Sequence, residues 1–179
     1  MNAALRSMIL IVACIAIALP AASAKRLPDL EFKDLAGHPQ KLSSLRGSIA
    51  VLSFWATWCA PCREELPRLS KLNQEYAPRG VRFLAISADE PKNRSRIEPF
   101  LHQQNIALDV WLGANSDVLD RVGLGNILPG TLILDQSGEV IGRIMGEAQE
   151  SDIRSRLDWL LSKNSDRSGP PPNPITRRY

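Results

Sequence analysis

Residues 55–67 read WATWCAPCREELP, two cysteines three positions apart between an apolar, aromatic stretch and a charged one. Such a pair holds a metal, staples a loop or shuttles electrons. Directly upstream, residues 49–56 (IAVLSFWA) form a short, nearly continuous apolar run, the pattern of a central strand covered on both faces. Directly downstream, Leu66, Leu69, Leu72 and Tyr76 recur at helical spacing, and Gly80 stops the helix. The cysteines therefore fall where a strand feeds a helix.

That junction favours redox chemistry. A structural zinc site takes four ligands, and the candidates to complete one, His38 and His102, stand far apart in no ligand-pair spacing. A staple closing a four-residue loop would remove unfolded-chain entropy worth roughly 2 kcal/mol, little use in a domain with its own core. At a helix N-terminus, by contrast, unpaired backbone N–H groups and the helix dipole favour a thiolate at Cys59. Pro61 is tolerated there, since the first turn has no partner for its missing N–H. Cys62, one turn further in, is expected to be more buried and to act as the resolving thiol.

The N-terminus bears on the same question. Arg6 precedes an apolar run to Pro20, and Ala22-Ser23-Ala24 follows with small residues in A-x-A spacing, which describes a secretory signal over residues 1–24. An uncleaved anchor over residues 7–24 and a lipoprotein modification at Cys14 stay open. Each implies export, and with Cys14 set aside the remaining domain, residues 25–162, holds only Cys59 and Cys62. Exported chains work where disulfides form and persist. The 179 residues are 44% hydrophobic and 23% charged with a formal net charge of +3, the balance of a globular protein. No dense basic stretch marks a nucleic-acid partner.

Further along, Phe32 and Leu42 flank a turn at Gly37, predicting a small N-terminal β-hairpin. Residues 81–88 read as a second buried strand, and residues 90–104 as a helix interrupted or bent near Pro99. Residues 108–112 form a third strand candidate, and Ser116 is the expected cap of a short helix to Val122. Residues 131–135 and 139–145 make an antiparallel hairpin through Gln136-Ser137-Gly138, and residues 149–161 a closing helix. From Lys163 to Tyr179 the chain is polar, basic and proline-rich, so residues 163–179 are expected to be disordered, with contact to an anionic membrane surface as a lesser option. The order predicts an α/β fold of the thioredoxin-like kind, a three-layer sandwich in which helices flank a mixed central sheet, extended by the N-terminal hairpin.

At this point the chain resembles the TlpA/ResA type of exported thiol–disulfide oxidoreductases. The likeness runs over residues 27–162 and rests on the F-W-A-x-W-C-x-P-C-x-x-E-x-P pattern of residues 54–67. Leu84-Ala85-Ile86-Ser87-Ala88-Asp89 and Leu128-Pro129 ahead of Thr131-Leu132-Ile133-Leu134-Asp135 support it. The resemblance implies catalysis by Cys59 and Cys62 with no cofactor beyond their disulfide. It also implies a cis-proline at Pro129 that helps hold the substrate backbone. Candidate client-contacting residues are Trp58, Ala60, Pro61, Leu128 and Pro129, while Trp55 is expected in the core. Glu65 matches an acid of the pattern that assists proton transfer with Cys62; its plain alternative is an exposed helix glutamate like Glu64. Two departures stand out. Ser53 occupies the place where thioredoxins carry a buried acid, and Gly130 follows Pro129 where the family has a β-former.

A histidine between the cysteines would stabilise the thiolate and make an oxidant; Ala60-Pro61 favours a reductase, with the oxidase direction left open. The resemblance implies clients such as apocytochrome c or copper-assembly proteins, a membrane thiol reductant as electron donor, and a periplasmic domain, free or tethered to the inner membrane. Peroxide chemistry would need a proline and a threonine where Leu52 and Ala56 stand. A copper carrier would use a CxxxC pair and a later histidine. A binding module with an inert disulfide is the remaining rival.

Overall fold

A computed structural model of the chain describes residues 26–162 and 174–178. The expected export signal, Cys14, Lys25 and residues 163–173 lie outside the described residues. The chain builds one sheet in the order β2-β1-β5-β4-β3-β6-β7-β8. Its strands are β1 (Glu31–Asp34), β2 (Pro39–Lys41), β3 (Ile49–Trp55), β4 (Val81–Ser87), β5 (Asp109–Leu112), β6 (Gly130–Leu134), β7 (Val140–Met145) and β8 (Ile175–Arg177). The central strands β3, β4 and β5 are parallel, β6 pairs antiparallel with β3 and β7 antiparallel with β6, and at the far side β1 pairs antiparallel with both β5 and β2. Among the described residues four α-helices flank the sheet: α1 (Ala60–Tyr76), α2 (Ile97–Gln103), α3 (Ser116–Arg121) and α4 (Glu150–Leu161).

The apolar run of β3 is buried throughout because alternate side chains enter two separate cores. Val51 and Trp55 face a cluster with Cys62, Leu66, Leu69 and Leu72 of α1, Ile97 of α2, and Ile153 and Leu157 of α4. Ala50, Leu52 and Phe54 face the opposite cluster, where Phe32, Leu45, Trp111, Leu119 and Leu124 close over the sheet. Ser53 has the same strand phase as Val51 and Trp55, which aims it at α1. That single polar position becomes important below.

Four local expectations are sharpened or corrected by the structure. The helix over residues 90–104 is interrupted rather than bent: a 3-10 turn (Pro91–Arg96) precedes α2. The break falls ahead of Pro99, which places that ring in the first turn of α2, where no N–H is required. The cap of α3 is Asn115, whose side chain accepts from the Val118 N–H at 2.9 Å; Ser116 is the first helical residue. Residues 108–112 yield a strand only from Asp109.

The fourth concerns the tail expected to be disordered. Ile175–Arg177 instead pair in parallel with β7, residue 143 opposite 175 and 145 opposite 177. Backbone bonds from the Arg143 N–H to the Pro174 carbonyl and from the Arg178 N–H to the Met145 carbonyl, both 2.7 Å, bracket the pairing. Arg178 also reaches the Asp152 carboxylate at 2.8 Å, and Arg156 donates to the Thr176 hydroxyl at 3.0 Å. Gly146, at φ 90°, lies so close beneath the Arg178 carbonyl that a Cβ would collide with it. Polar composition hid a segment held by backbone bonds and two arginines.

At the start of the described residues, Arg26 forms a β-bridge with Glu139 beside the β6–β7 turn. That turn is at the pole away from Gly130, where β6 begins, and so away from the end of β3 that leads to the cysteines.

Candidate active site at the strand-to-helix junction

Cys59 caps α1. Its backbone is extended (φ −88°, ψ 105°) and its sulfur accepts from the Cys62 N–H at 3.3 Å, while its carbonyl accepts from the Arg63 N–H at 3.2 Å. Cys59 and Cys62 are disulfide-bonded, with their Cα atoms 5.3 Å apart. The outer sulfur residue is 6% exposed and the inner one 0%, so the order expected from the helix phase holds. Ala60 and Pro61, between them, are exposed, and Trp58 stands 60% exposed beside Cys59. Trp55, by contrast, is wholly enclosed and packs on Phe100 with ring centroids 5.5 Å apart.

The Leu128–Pro129 peptide is cis. Pro129 directly precedes Gly130, whose register partner is Phe54 near the end of β3, so both prolines and both cysteines gather at one end of the sheet. Gly130 has a packing reason: a Cβ there would sit 2.9 Å from the Leu124 side chain, which fills the space a β-former would claim.

Glu65 does not lie on the surface like Glu64. It is 1% exposed, three residues after Cys62 on the same face of α1. Three donors meet its carboxyl. Ser53 and Thr131 are direct partners across β3 and β6, and their hydroxyls both reach Oε1, at 3.3 and 3.2 Å. The Ala148 N–H reaches Oε2 at 2.7 Å. Burial raises its pKa from 4.5 to about 7, against the opposing effect of these hydrogen bonds and of the nearby Arg68 cation. Ser53, read in the sequence only as the loss of an acid, is the place where an acid from the helix lands. Thr131 and Ala148 gave no signal, because their roles depend on sheet register and on the loop after β7. Arg68 in turn pairs with Glu147, which steadies that loop.

The comparisons with known proteins agree with this geometry. The AhpC/TSA family pattern matches residues 24–143. The chain belongs to that family. Thiol-disulfide oxidoreductase ResA of Geobacillus kaustophilus (strain HTA426) is 35% identical over 133 residues, 74% of this chain and 75% of the relative. A solved thiol:disulfide interchange protein of the thioredoxin family from Chlorobium tepidum TLS superposes with a TM-score of 0.63 at 26% identity, covering 79% of this chain and 99% of that one. The dsbF structure from MTB, at 23% identity and a TM-score of 0.64 over 75% and 98% of the two chains, shares the fold. The fold is thus the thioredoxin-like mixed sheet between helices, and the protein is a ResA-type thiol–disulfide oxidoreductase of the AhpC/TSA family whose redox disulfide is Cys59–Cys62. Among the described residues, no helix is long and apolar enough to cross a membrane.

Proposed function

We propose that the protein is a reductase of disulfides in exported client proteins, with Cys59 as the attacking thiol, Cys62 as the resolving thiol and Glu65 as the proton acceptor. The observation that carries this reading is the placement of Glu65, a buried carboxyl with a pKa of about 7 one helical turn behind Cys62. In the reduced protein the Cys59 thiolate attacks a client disulfide. The client S–S bond breaks, a Cys59–client disulfide forms, and one client sulfur leaves as a thiolate. Cys62 then gives its proton to ionised Glu65 and attacks the Cys59 sulfur. The internal disulfide forms and the second client sulfur departs, taking up a proton from Glu65 or solvent. Two electrons pass from the dithiol to the client, and an external dithiol donor must restore the pair. An acid with a pKa near the working pH suits this transfer, since ionised and protonated forms are both populated.

Trp58, Ala60 and Pro61 on one side and Leu128 and Pro129 on the other form the client-contacting rim in this reading, with Trp58 as an apolar platform. The neutral Ala60-Pro61 pair adds no charge that would stabilise a thiolate, which favours the reducing direction. The ResA relative supports a disulfide client; apocytochrome c or a copper-assembly protein as that client, a membrane thiol donor, and a periplasmic site with or without a tether extend the reading. Cys62→Ser is the test: it should accumulate a mixed disulfide through Cys59 on non-reducing gels in the exported compartment, with the client identified by mass. Full reductase activity in Cys59→Ser would refute the assignment.

A further inference from the structure

The end of β4 carries a second buried acid that the disulfide chemistry leaves unused. Asp89 is 2% exposed and both its oxygens point at one residue of the redox loop. Oδ1 accepts from the Thr57 hydroxyl at 2.6 Å and Oδ2 from the Thr57 N–H at 2.9 Å. The Ser87 hydroxyl, wholly buried, donates to Oδ2 at 2.9 Å and accepts from the Asp89 N–H at 3.0 Å. The Ala88 N–H binds the Trp55 carbonyl at 2.8 Å, and the Ser87 carbonyl accepts from the Ala114 N–H at 3.0 Å, so the acid itself is fixed from two neighbouring segments. Removing a carboxylate from water is costly unless every lone pair is matched, and no ion pair offsets it here among the described residues. Such an expense at the loop before Cys59 calls for a use.

We propose that Asp89 is a positioning residue for Cys59, clamping Thr57 at its N–H and its hydroxyl so that the turn from Ala56 to Cys59 holds one shape through the redox cycle. Only Trp58 separates the clamped residue from the attacking sulfur, and the Cys59 N–H closes the turn on the Ala56 carbonyl at 3.1 Å. With Thr57 held at two points, the loop cannot rotate about its own axis. Trp58 is therefore kept outward and the Cys59 sulfur stays at the helix terminus, over the Cys62 N–H. Thiol–disulfide exchange needs the attacking sulfur in line with the bond it breaks, and a misplacement of about 1 Å costs on the order of a hundredfold. Asparagine can serve in place of the acid: its oxygen takes the Thr57 N–H and Ser87 hydroxyl, and its NH2 donates to the Thr57 hydroxyl oxygen.

This inference rests on Cys59 being the attacking thiol, and the experiment separates the two. The full-length protein, reduced, is assayed for reaction with a small aryl disulfide and for alkylation of Cys59 followed by mass spectrometry, alongside its urea midpoint. Asp89→Ala should slow both reactions at least tenfold in protein that is fully folded at the assay temperature. Asp89→Asn should stay within about threefold of wild type. Thr57→Val, which keeps shape and loses only the hydroxyl, should fall between them, Thr57→Ser should restore the rate, and this pair decides the matter should Asp89→Ala fail to fold. A lowered urea midpoint with unchanged rates would make the contact merely structural and overturn the proposal. Slow alkylation of Cys59 in the wild type would overturn the assignment of the attacking thiol, and the clamp's purpose with it.

Discussion

Replacing Glu65 by glutamine removes a titrating group while keeping its hydrogen bonds: the amide oxygen takes the Ala148 N–H, and the NH2 donates to the Ser53 and Thr131 hydroxyls. In the native protein burial lifts the Glu65 pKa above its unfolded value of 4.5, to about 7. The folded chain thus retains a proton that the unfolded chain gives up across this interval. Stability linked to that proton is complete below pH 4.5, declines as pH rises toward 7, and is gone above it. At 1.36 kcal/mol per pH unit, the interval corresponds to about 3 kcal/mol. Urea denaturation of the oxidised wild type and Glu65→Gln at steps from pH 4 to 8.5 should give a difference curve, variant minus wild type, that climbs by about that amount and levels off above pH 7. Titrations common to both proteins cancel in the difference. The same variant should slow resolution of the mixed disulfide and flatten its rise with pH near neutrality. A difference in stability that does not vary with pH would mean that Glu65 titrates like a surface glutamate, and the proton-acceptor role would lose its basis.

Trp58→Ala should leave stability within about 0.5 kcal/mol, as for an exposed side chain, yet raise KM for a protein client roughly fivefold or more while sparing a small aryl disulfide; steady-state kinetics with both substrates check this. Gly130→Ala should cost about 1–3 kcal/mol by urea denaturation, since its Cβ meets Leu124 at 2.9 Å. Adding Leu124→Ala should recover part of that loss, and a purely additive double variant would contradict the packing account. Gly146→Ala should release the C-terminal strand, because the new Cβ meets the Arg178 carbonyl and φ 90° disfavours any side chain. Limited trypsin digestion should then remove the chain end faster than in wild type while the remaining domain stays resistant.

The central strand, the helix after it and the order of the cysteines were legible because each rests on local spacing. Residues 49–56 carry enough apolar side chains to cover two faces, and a pair at i and i+3 at a helix start admits one inner and one outer sulfur. Glu65 was half legible. Its three-residue offset from Cys62 places it on the inward face with Leu66 and Leu69, whereas Glu64 points away, but the type of residue argued for water. What rescues it is the Ser53–Thr131 register, a contact between residues 66 apart from the acid in one case. Asp89 could be quoted as part of a motif and still not be given a purpose, because its partner Thr57 lies 32 residues earlier. The tail misled for the opposite reason: a segment without an apolar face can still be seated when the sheet edge supplies backbone partners and Asp152 supplies charge.

The bridge between Arg26 and Glu139 gives the molecule a direction. Arg26 lies at the pole opposite the sulfurs, separated from them by the length of β6, about 16 Å at the usual rise per strand residue. A surface holding the protein at Arg26 would therefore leave the dithiol facing outward, free to meet proteins in the surrounding space. An affinity handle or immobilisation point added ahead of Arg26 should for the same reason leave electron transfer undisturbed.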